Sequence, residues 1–313
     1  CYSILTKMPL NACCVLALPE FGVKWRDVKR GVSIAKLRME PASVARFLCN
    51  YAYRVFLPQD LAELVAILRL KLVTIRPRTW HVIKLVGGDD KKISLLNSEL
   101  PELLKLELKT LKSSKQRRPK VKTFKMNNLL YISLEMQGST PLYMAVPTQG
   151  DVALVSAIRS GVITGFVKGL GYESFEDVSL SGQDIDSLFR IYNTGNTNRA
   201  EHLSGLPEYN PMPVITKSSI DYTGKTYDEL YAQQIIGPDP PSLKILKIKT
   251  EKQYFNSHIL DKEIKMELVL KTDDVANSLI HWAKLGAISP MSEMFHIFHK
   301  TKSNNYFYNA DEE

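Results

Sequence analysis

Histidine and carboxylate side chains are considered first, because they can bind metal ions and transfer protons. His296 and His299 form an H-x-x-H pair in a segment predicted to be a strand, where residues three apart face opposite sides. No glutamate follows His296, as it would in an H-E-x-x-H zinc motif. Asp184 and Asp186 lie in a polar loop or at a helix start and are interpreted as capping residues. The sequence therefore predicts neither a metal site nor a cofactor.

Glycine, serine and cysteine offer no stronger catalytic pattern. Gly161, Gly165, Gly169 and Gly171 fit neither the P-loop nor the G-x-G-x-x-G spacing and are interpreted as a capped helix. No G-x-S-x-G element occurs in the sequence. None of the four cysteines belongs to a C-x-x-C pair, so they are interpreted as buried thiols in a reducing compartment. We therefore predict that the chain is not an enzyme.

Lysine and arginine carry the clearest functional signal. The 313 residues hold 41 basic and 33 acidic side chains, for a net charge of +8. Residues 1–125 account for 25 of the basic and 10 of the acidic ones, a net +15, whereas residues 126–313 are net −7. This asymmetry predicts a polyanion-binding face in the first part of the chain. The alternative is that these charges only solvate helix surfaces.

Several of the cations lie where helices are predicted to end. Lys36 and Arg38 precede the Pro41 turn, and Arg76 and Arg78 flank a proline. Residues 24–30 supply four more basic side chains, in what is predicted to be a connector. Long cationic side chains at such ends can converge on phosphates and give salt-sensitive affinity. No homeodomain, zinc-finger or RNA-recognition pattern occurs, so we predict contacts to the DNA backbone rather than to base edges.

The first part of the chain is predicted to be helical. Residues 12–18 and 43–56 carry apolar side chains at helical spacing, and residues 61–72 form a further stripe. Gly87-Gly88-Asp89-Asp90 predicts a linker, so we place a boundary near residue 90 between domains 1–90 and 91–313. The longest apolar stretch, residues 61–73, contains three charges and is shorter than the roughly 20 residues of a membrane span, so no membrane association is predicted.

In residues 91–313 apolar side chains recur with a period of two in some segments and of 3.6 in others. Strands mixed with helices predict an α+β fold overall. A long polar connection is expected at about 194–241. The predicted helices are 95–111, 156–169, 185–193 and 275–285, and the predicted strands are 121–125, 130–136, 142–146, 152–154, 244–249, 264–270, 294–298 and 305–308.

Three segments, taken in order, resemble the centromere protein N (CENP-N) family of the inner kinetochore. Residues 4–11 are similar to the end of the family's first helix and the turn that follows. Arg78-Thr79-Trp80-His81-Val82-Ile83 resembles the segment that closes its helical domain. The tail resembles the family's helix, its small-x-Ser-Pro turn (residues 286–292) and its Asn-Tyr-Phe ending (residues 305–307).

The resemblance implies an all-α pyrin-like helical bundle followed by an α/β domain of the type shared by CENP-N and CENP-L. It implies a nuclear protein of the centromere that binds the CENP-A nucleosome through histone and DNA and works with CENP-L and other inner-kinetochore subunits. Carried over by position, the DNA-binding candidates are Lys7, Lys36, Arg38 and Arg78, with Arg76 added on charge alone.

The resemblance also implies that residues 264–308 pair with CENP-L. The partner-binding candidates there are Ile264, Leu268, Phe295, Phe298, Tyr306 and Phe307.

The chain departs from the family pattern at two places. It begins at Cys1, so we expect that the start of the first helix, with the family's histone contacts, is missing. Residues 179–183 are not basic where the family carries cations, although Arg159 is retained nearby. The basic cluster at 115–122, which includes Arg117 and Arg118, is a candidate substitute for them.

Alternative functions stay open. A pyrin-like signalling adaptor that self-assembles would need balanced patches of opposite charge, whereas residues 1–92 hold 16 basic and 7 acidic side chains. A generic DNA-binding protein would show the same cations without histone recognition. An enzyme acting on nucleic acid would need converging carboxylates or a metal cluster, which the sequence does not predict.

Overall fold

The structure, a computed structural model, describes residues 1–88, 100–110, 119–136, 139–194, 208–217, 219–256, 259–301 and 303–308. Helix and strand make up 46% and 23% of it, which confirms the predicted α+β class. The chain divides into two compact units, one of residues 1–78 and 83–176 and the other of residues 79–82 and 177–313. Residue 90, near which a domain boundary was predicted, lies outside the described residues.

Helices form the first part of the first unit, as predicted. Proline occupies the first position of its two longest helices, where a missing N–H costs nothing. Residues 24–30, predicted to be a connector, lie largely inside a helix. The elements are α1 (Tyr2–Leu5), α2 (Leu10–Ala12), a π-helical turn (Cys13–Ala17), α3 (Leu18–Phe21), α4 (Trp25–Ile34), α5 (Pro41–Val55) and α6 (Pro58–Ile75).

A sheet forms the second part of this unit. Strands β1 (Trp80–Val86), β2 (Lys120–Met126), β3 (Leu129–Glu135), β4 (Leu142–Pro147), β5 (Val152–Val155) and β6 (Ser174–Gly182) are ordered β2-β3-β4-β5-β1-β6. Residues 83–86 of β1 and 174–176 of β6 belong to the first unit. Strands β2 to β5 pair antiparallel, and Asn127 makes the β2–β3 turn with a left-handed φ of 54°.

The two faces of the sheet meet different partners, as alternation along a strand requires. Leu130, Ile132 and Leu134 of β3 point into a core completed by helices α7 (Leu100–Thr110) and α8 (Ser160–Gly169). The other face of β2 and β3 meets α6. Helix α6 therefore packs against both parts of this unit. It meets the sheet, and its Leu64, Leu68 and Leu72 lie in the separate core of the helical part.

Charged side chains contribute two of the contacts between α6 and the sheet. Lys122 Nζ lies 3.3 Å from Glu63 Oε1, and Arg69 Nη1 lies 3.4 Å from Glu135 Oε1. These pairs are partly exposed, so each contributes at most about 1 kcal/mol.

Lys71 differs from these partly exposed residues, because it is buried, with only 4% of its surface exposed. Its Nζ donates to the Leu16 carbonyl at 2.9 Å and to Glu20 Oε1 at 2.6 Å. The same Nζ lies 4.7 Å from the ring centroid of Phe124. One buried ammonium group thus connects α6, the π-helical turn, α3 and β2.

The second unit contains α9 (Ile185–Thr194), β7 (Val214–Ile215), β8 (Ile220–Asp221), α10 (Lys225–Ile236), β9 (Ile245–Asn256), β10 (Ile259–Lys271), α11 (Val275–Leu285), α12 (Glu293–Lys300) and β11 (Asn305–Tyr308). Its three-stranded sheet has the order β10-β9-β11, with β10 antiparallel and β11 parallel to β9. Helix α11 is the predicted one, capped by the Asp274 carboxylate, which accepts from Asn277 N at 3.3 Å.

Two expectations for the second unit differ from the structure. Residues 294–298 were predicted to be a strand, but they belong to α12, whose Ser292 hydroxyl accepts from Met294 N. The predicted polar connection contains α10, which buries Tyr231, Ala232, Ile235 and Ile236. Tyr209 joins this helix by donating to Asp228 at 2.6 Å, and that hydrogen bond, together with burial, raises the pKa of Tyr209 to about 12.

Asn304 fixes the last strand of the second unit. Its side-chain oxygen accepts from Ser181 N at 2.6 Å, and its amide nitrogen donates to the Ile245 carbonyl at 2.9 Å. Its backbone N–H donates to the Ser179 carbonyl, and its own carbonyl accepts from Lys247 N at 2.8 Å. These bonds give a structural role to an asparagine next to the Asn-Tyr-Phe ending.

Replacing Lys71 with methionine keeps most of its volume but removes the ammonium group. The buried Leu16 carbonyl then loses a donor and Glu20 loses its partner, so we expect a loss of about 1–3 kcal/mol in unfolding free energy. Urea denaturation measures this loss, with Lys125→Met, at an exposed residue of β2, as the control. Equal stability of the two variants would contradict the role given to Lys71.

Candidate nucleic-acid interface

Helix α4 presents cations along its solvent side. Val28 and Val32 are buried in the helical core, whereas Arg26, Lys29 and Arg30 are exposed. Lys29 Nζ lies 5.9 Å from the centroid of the Trp25 ring. The helix is therefore amphipathic, with an apolar stripe that fixes its orientation and a basic face turned to solvent.

The C-terminus of α4 is closed by a Schellman motif. The Leu37 N–H donates to the Val32 carbonyl at 3.2 Å, and the Lys36 N–H donates to the Ser33 carbonyl at 2.9 Å. This motif requires a left-handed residue, and Lys36 takes that position with φ of 51°. Glycine is the usual residue there, since a Cβ makes this conformation unfavourable by roughly 1 kcal/mol.

The close approach of α4 and α5 depends on Gly31. A Cβ atom at that position would lie 2.1 Å from Cε2 of Phe47, so the Phe47 ring rests directly on the α4 backbone. Helix α5 buries Val44, Ala45 and Leu48 and leaves Arg46 and Arg54 exposed. The loop with Lys36 and the outer side of α5 are therefore held by a packed helix pair.

The cations after α6 have two different environments. Arg76 is exposed at the end of the helix. Arg78 is half-buried, with its guanidinium carbon 4.5 Å from the Tyr143 ring centroid. Burial raises the pKa of the Tyr143 hydroxyl, and the charges of Arg69 and Arg78 oppose that shift. Arg78 therefore packs against β4 as well as carrying a charge at the surface.

The remaining predicted DNA-binding residues lie elsewhere. Lys7 is exposed in the turn between α1 and α2. Arg117 and Arg118 lie outside the described residues. Arg159, by contrast, is engaged within its unit, because its guanidinium donates to the Thr140 carbonyl at 3.0 Å.

Most of the described candidates have no counter-ion. Within the part of the chain that the structure covers, no ion pair is formed by Lys7, Lys36, Arg38 or Arg76, nor by Arg46 or Arg54. Exposed cations without carboxylate partners are available for an external anion.

Sequence reasoning missed Arg46 and Arg54. Together with Asn50 they recur every four residues along α5, on the side away from its buried stripe. That spacing was the signal that could have identified them.

The predicted partner-binding residues fall into three groups. Leu268 of β10 is 45% exposed, and β10 has a neighbour on one side only in the described sheet. Phe295 and Phe298 are buried within the second unit, so their side chains already pack inside the protein. Ile264, Tyr306 and Phe307 lie in β10 and β11, but their side chains are outside the described part.

Three further properties bear on the chemistry of the chain: clusters that could bind a metal ion, helices that could span a membrane, and the state of the cysteines. Among the described residues no three His, Cys, Asp or Glu side chains come close enough to share a metal ion. The described helices include none that combines the length and apolarity needed to cross a membrane. All four cysteines are free thiols, and burial, with a smaller effect of Cys14, raises the pKa of Cys13 to about 11.

Lys36→Gly should stabilise the chain by about 0.5–1 kcal/mol, because glycine adopts the left-handed conformation without strain. Thermal or urea unfolding measures this change. The control is Arg38→Gly, because Arg38 follows the last residue of the Schellman motif in the same loop. A loss of stability in Lys36→Gly would show that the lysine side chain is itself stabilising.

No protein-family model matches the chain, and no curated protein matches its sequence. The resemblance to the CENP-N family, at residues 4–11, residues 78–83 and the tail from residue 286 to residue 307, stays a prediction from the sequence.

Proposed function

We propose that this chain is a non-enzymatic inner-kinetochore adaptor. In this proposal a pyrin-like helical bundle places its cations on the DNA and histone of the CENP-A nucleosome. The α/β part joins CENP-L and, through it, other inner-kinetochore subunits. The proposal rests on the resemblance to the CENP-N family and on the charge of the helical surface.

Phosphate binding is the physical basis of the proposed DNA contact. Lys36, Arg38 and Arg76 are exposed and lack counter-ions among the described residues. Each cation that neutralises a phosphate releases condensed counter-ions, which gives affinity independent of base sequence. Such contacts suit a protein that meets DNA of many sequences on the nucleosome surface.

Lys36 is the observation that best supports the proposed DNA contact. A lysine stands at a left-handed cap position where glycine would be more stable. Local stability therefore does not account for the choice of residue, whereas the need for a charge at a fixed point on the surface would account for it. Backbone positions that are unfavourable in this way are common at binding sites.

The proposed CENP-L contact uses the open edge of β10. Met266 and Leu268 are exposed there, and an unpaired strand edge can accept a further strand from a partner. Addition of a CENP-L strand would pair the backbone groups of β10 that have no partner among the described strands, and it would cover these side chains. Phe295 and Phe298 are buried within the unit, so this proposal does not assign them a contact with the partner.

The test compares binding to CENP-A nucleosomes and to ordinary nucleosomes at one salt concentration. We expect tighter binding to the CENP-A nucleosome, and a loss on the order of tenfold on both in Lys36→Gln/Arg38→Gln, because two phosphate contacts are removed. Lys84→Gln/Lys168→Gln has the same charge change at exposed positions outside α4 to α6 and is expected to bind like the wild type.

The outcomes separate the parts of the proposal. Equal binding to both nucleosomes would leave a DNA-binding protein without histone recognition. Equal losses in the two double variants would contradict the assignment of the DNA contact to Lys36 and Arg38. Absence of binding to either nucleosome would contradict the kinetochore function.

A further inference from the structure

A groove runs between α4 and α5 in the first unit, with a volume of about 420 Å³. Its lining is largely apolar and includes Ile34, Leu37, Phe47 and Tyr51. Ile34 is 74% exposed, which is unusual for a large aliphatic side chain beside other apolar ones. The volume lies within the range of clefts that bind ligands in proteins.

The charged groups at this groove are all cationic. Arg46 and Arg54 line it, and none of the described residues that line it is acidic. Neither arginine forms an ion pair within the described part of the chain. The groove therefore complements a ligand that combines apolar groups with negative charge.

We propose that this groove binds an amphipathic helix of a partner protein, with leucine-like side chains on one face and acidic residues beside them. The apolar face would contact Ile34, Leu37 and Phe47, and the carboxylates would pair with Arg46 and Arg54. Two packed helices present ridges and grooves into which a third helix fits. This inference does not depend on the nucleosome proposal.

DNA is a less suitable occupant than a peptide. A phosphate backbone gains affinity from cations, but its charged oxygens gain nothing from an aliphatic side chain such as Ile34. The apolar lining is thus left unexplained by DNA binding, whereas an amphipathic helix uses both the lining and the arginines.

The probe is a fluorescent peptide of about 16 residues, roughly four helical turns, with leucine at helical spacing and glutamate elsewhere. One comparison peptide carries lysine in place of glutamate, and another has the same composition with the leucines displaced from one face. Fluorescence anisotropy with the full chain should show saturable binding of the acidic helix and at least roughly tenfold weaker binding of the others.

Ile34→Ser and Arg54→Glu test the two kinds of contact separately. Both residues are exposed, so the fold should be retained, which circular dichroism and thermal unfolding check. Each variant is expected to bind the acidic peptide roughly five- to tenfold more weakly than the wild type does. The matched controls are Val15→Ser, at another exposed aliphatic residue of the unit, and Lys168→Glu on α8, and both should bind as the wild type does.

Methyl NMR gives a local reading of the same titration. The Ile34 and Leu37 methyl signals should shift on addition of the acidic peptide, while those of Val15 stay in place. The proposal is overturned if no acidic peptide binds up to about 1 mM, if the two groove variants bind like the wild type, or if the Val15 signals respond equally.

A DNA duplex is the final comparison, because it separates this inference from the proposed function. Ile34→Ser should leave duplex affinity unchanged. An equal loss for duplex and peptide would assign the groove to the DNA surface and overturn the peptide proposal. Failure of DNA binding with the peptide result intact would affect only the nucleosome proposal.

Discussion

A buried charge on α6 is the constraint on which the first unit depends. The Lys71 ammonium group donates to the Leu16 carbonyl and to Glu20, and it also lies over the Phe124 ring. A buried ammonium group is tolerated only when such partners are present, so its contacts fix α6 against two neighbours at once. The helix in turn carries Leu64 and Leu68 into the helical core and sets where Arg76 follows it.

One cation of the basic surface occupies a position that local stability does not favour. Lys36 takes a cap position that favours glycine, and nearby two exposed arginines line a groove that has apolar walls. Natural sequences usually satisfy such local preferences, and the positions that do not are often functional. If the loop after α4 contacts phosphates while the adjacent groove receives a helix, as proposed, one helix pair serves two ligands.

Periodicity predicted most elements, and its failures have physical causes. Helices α5, α6 and α11 and the β2–β3 hairpin follow clear periods. Strand β1 alternates poorly because Val82 and Ile83 are both buried, and the apolar run in α12 was too short to distinguish helix from strand. The cations at 36 and 38 could be predicted from charge, but the left-handed backbone of Lys36 and the groove beside it depend on packing that no local pattern encodes.

The most direct test of the proposed DNA contact is the salt dependence of duplex binding. The logarithm of the association constant should fall linearly with the logarithm of salt concentration. Each lost phosphate contact lowers the magnitude of this log–log slope by about 0.9. The Lys36→Gln/Arg38→Gln variant should therefore reduce it by about 1.8. An unchanged slope in that variant would contradict the proposed contact, because these two cations would then not neutralise phosphates.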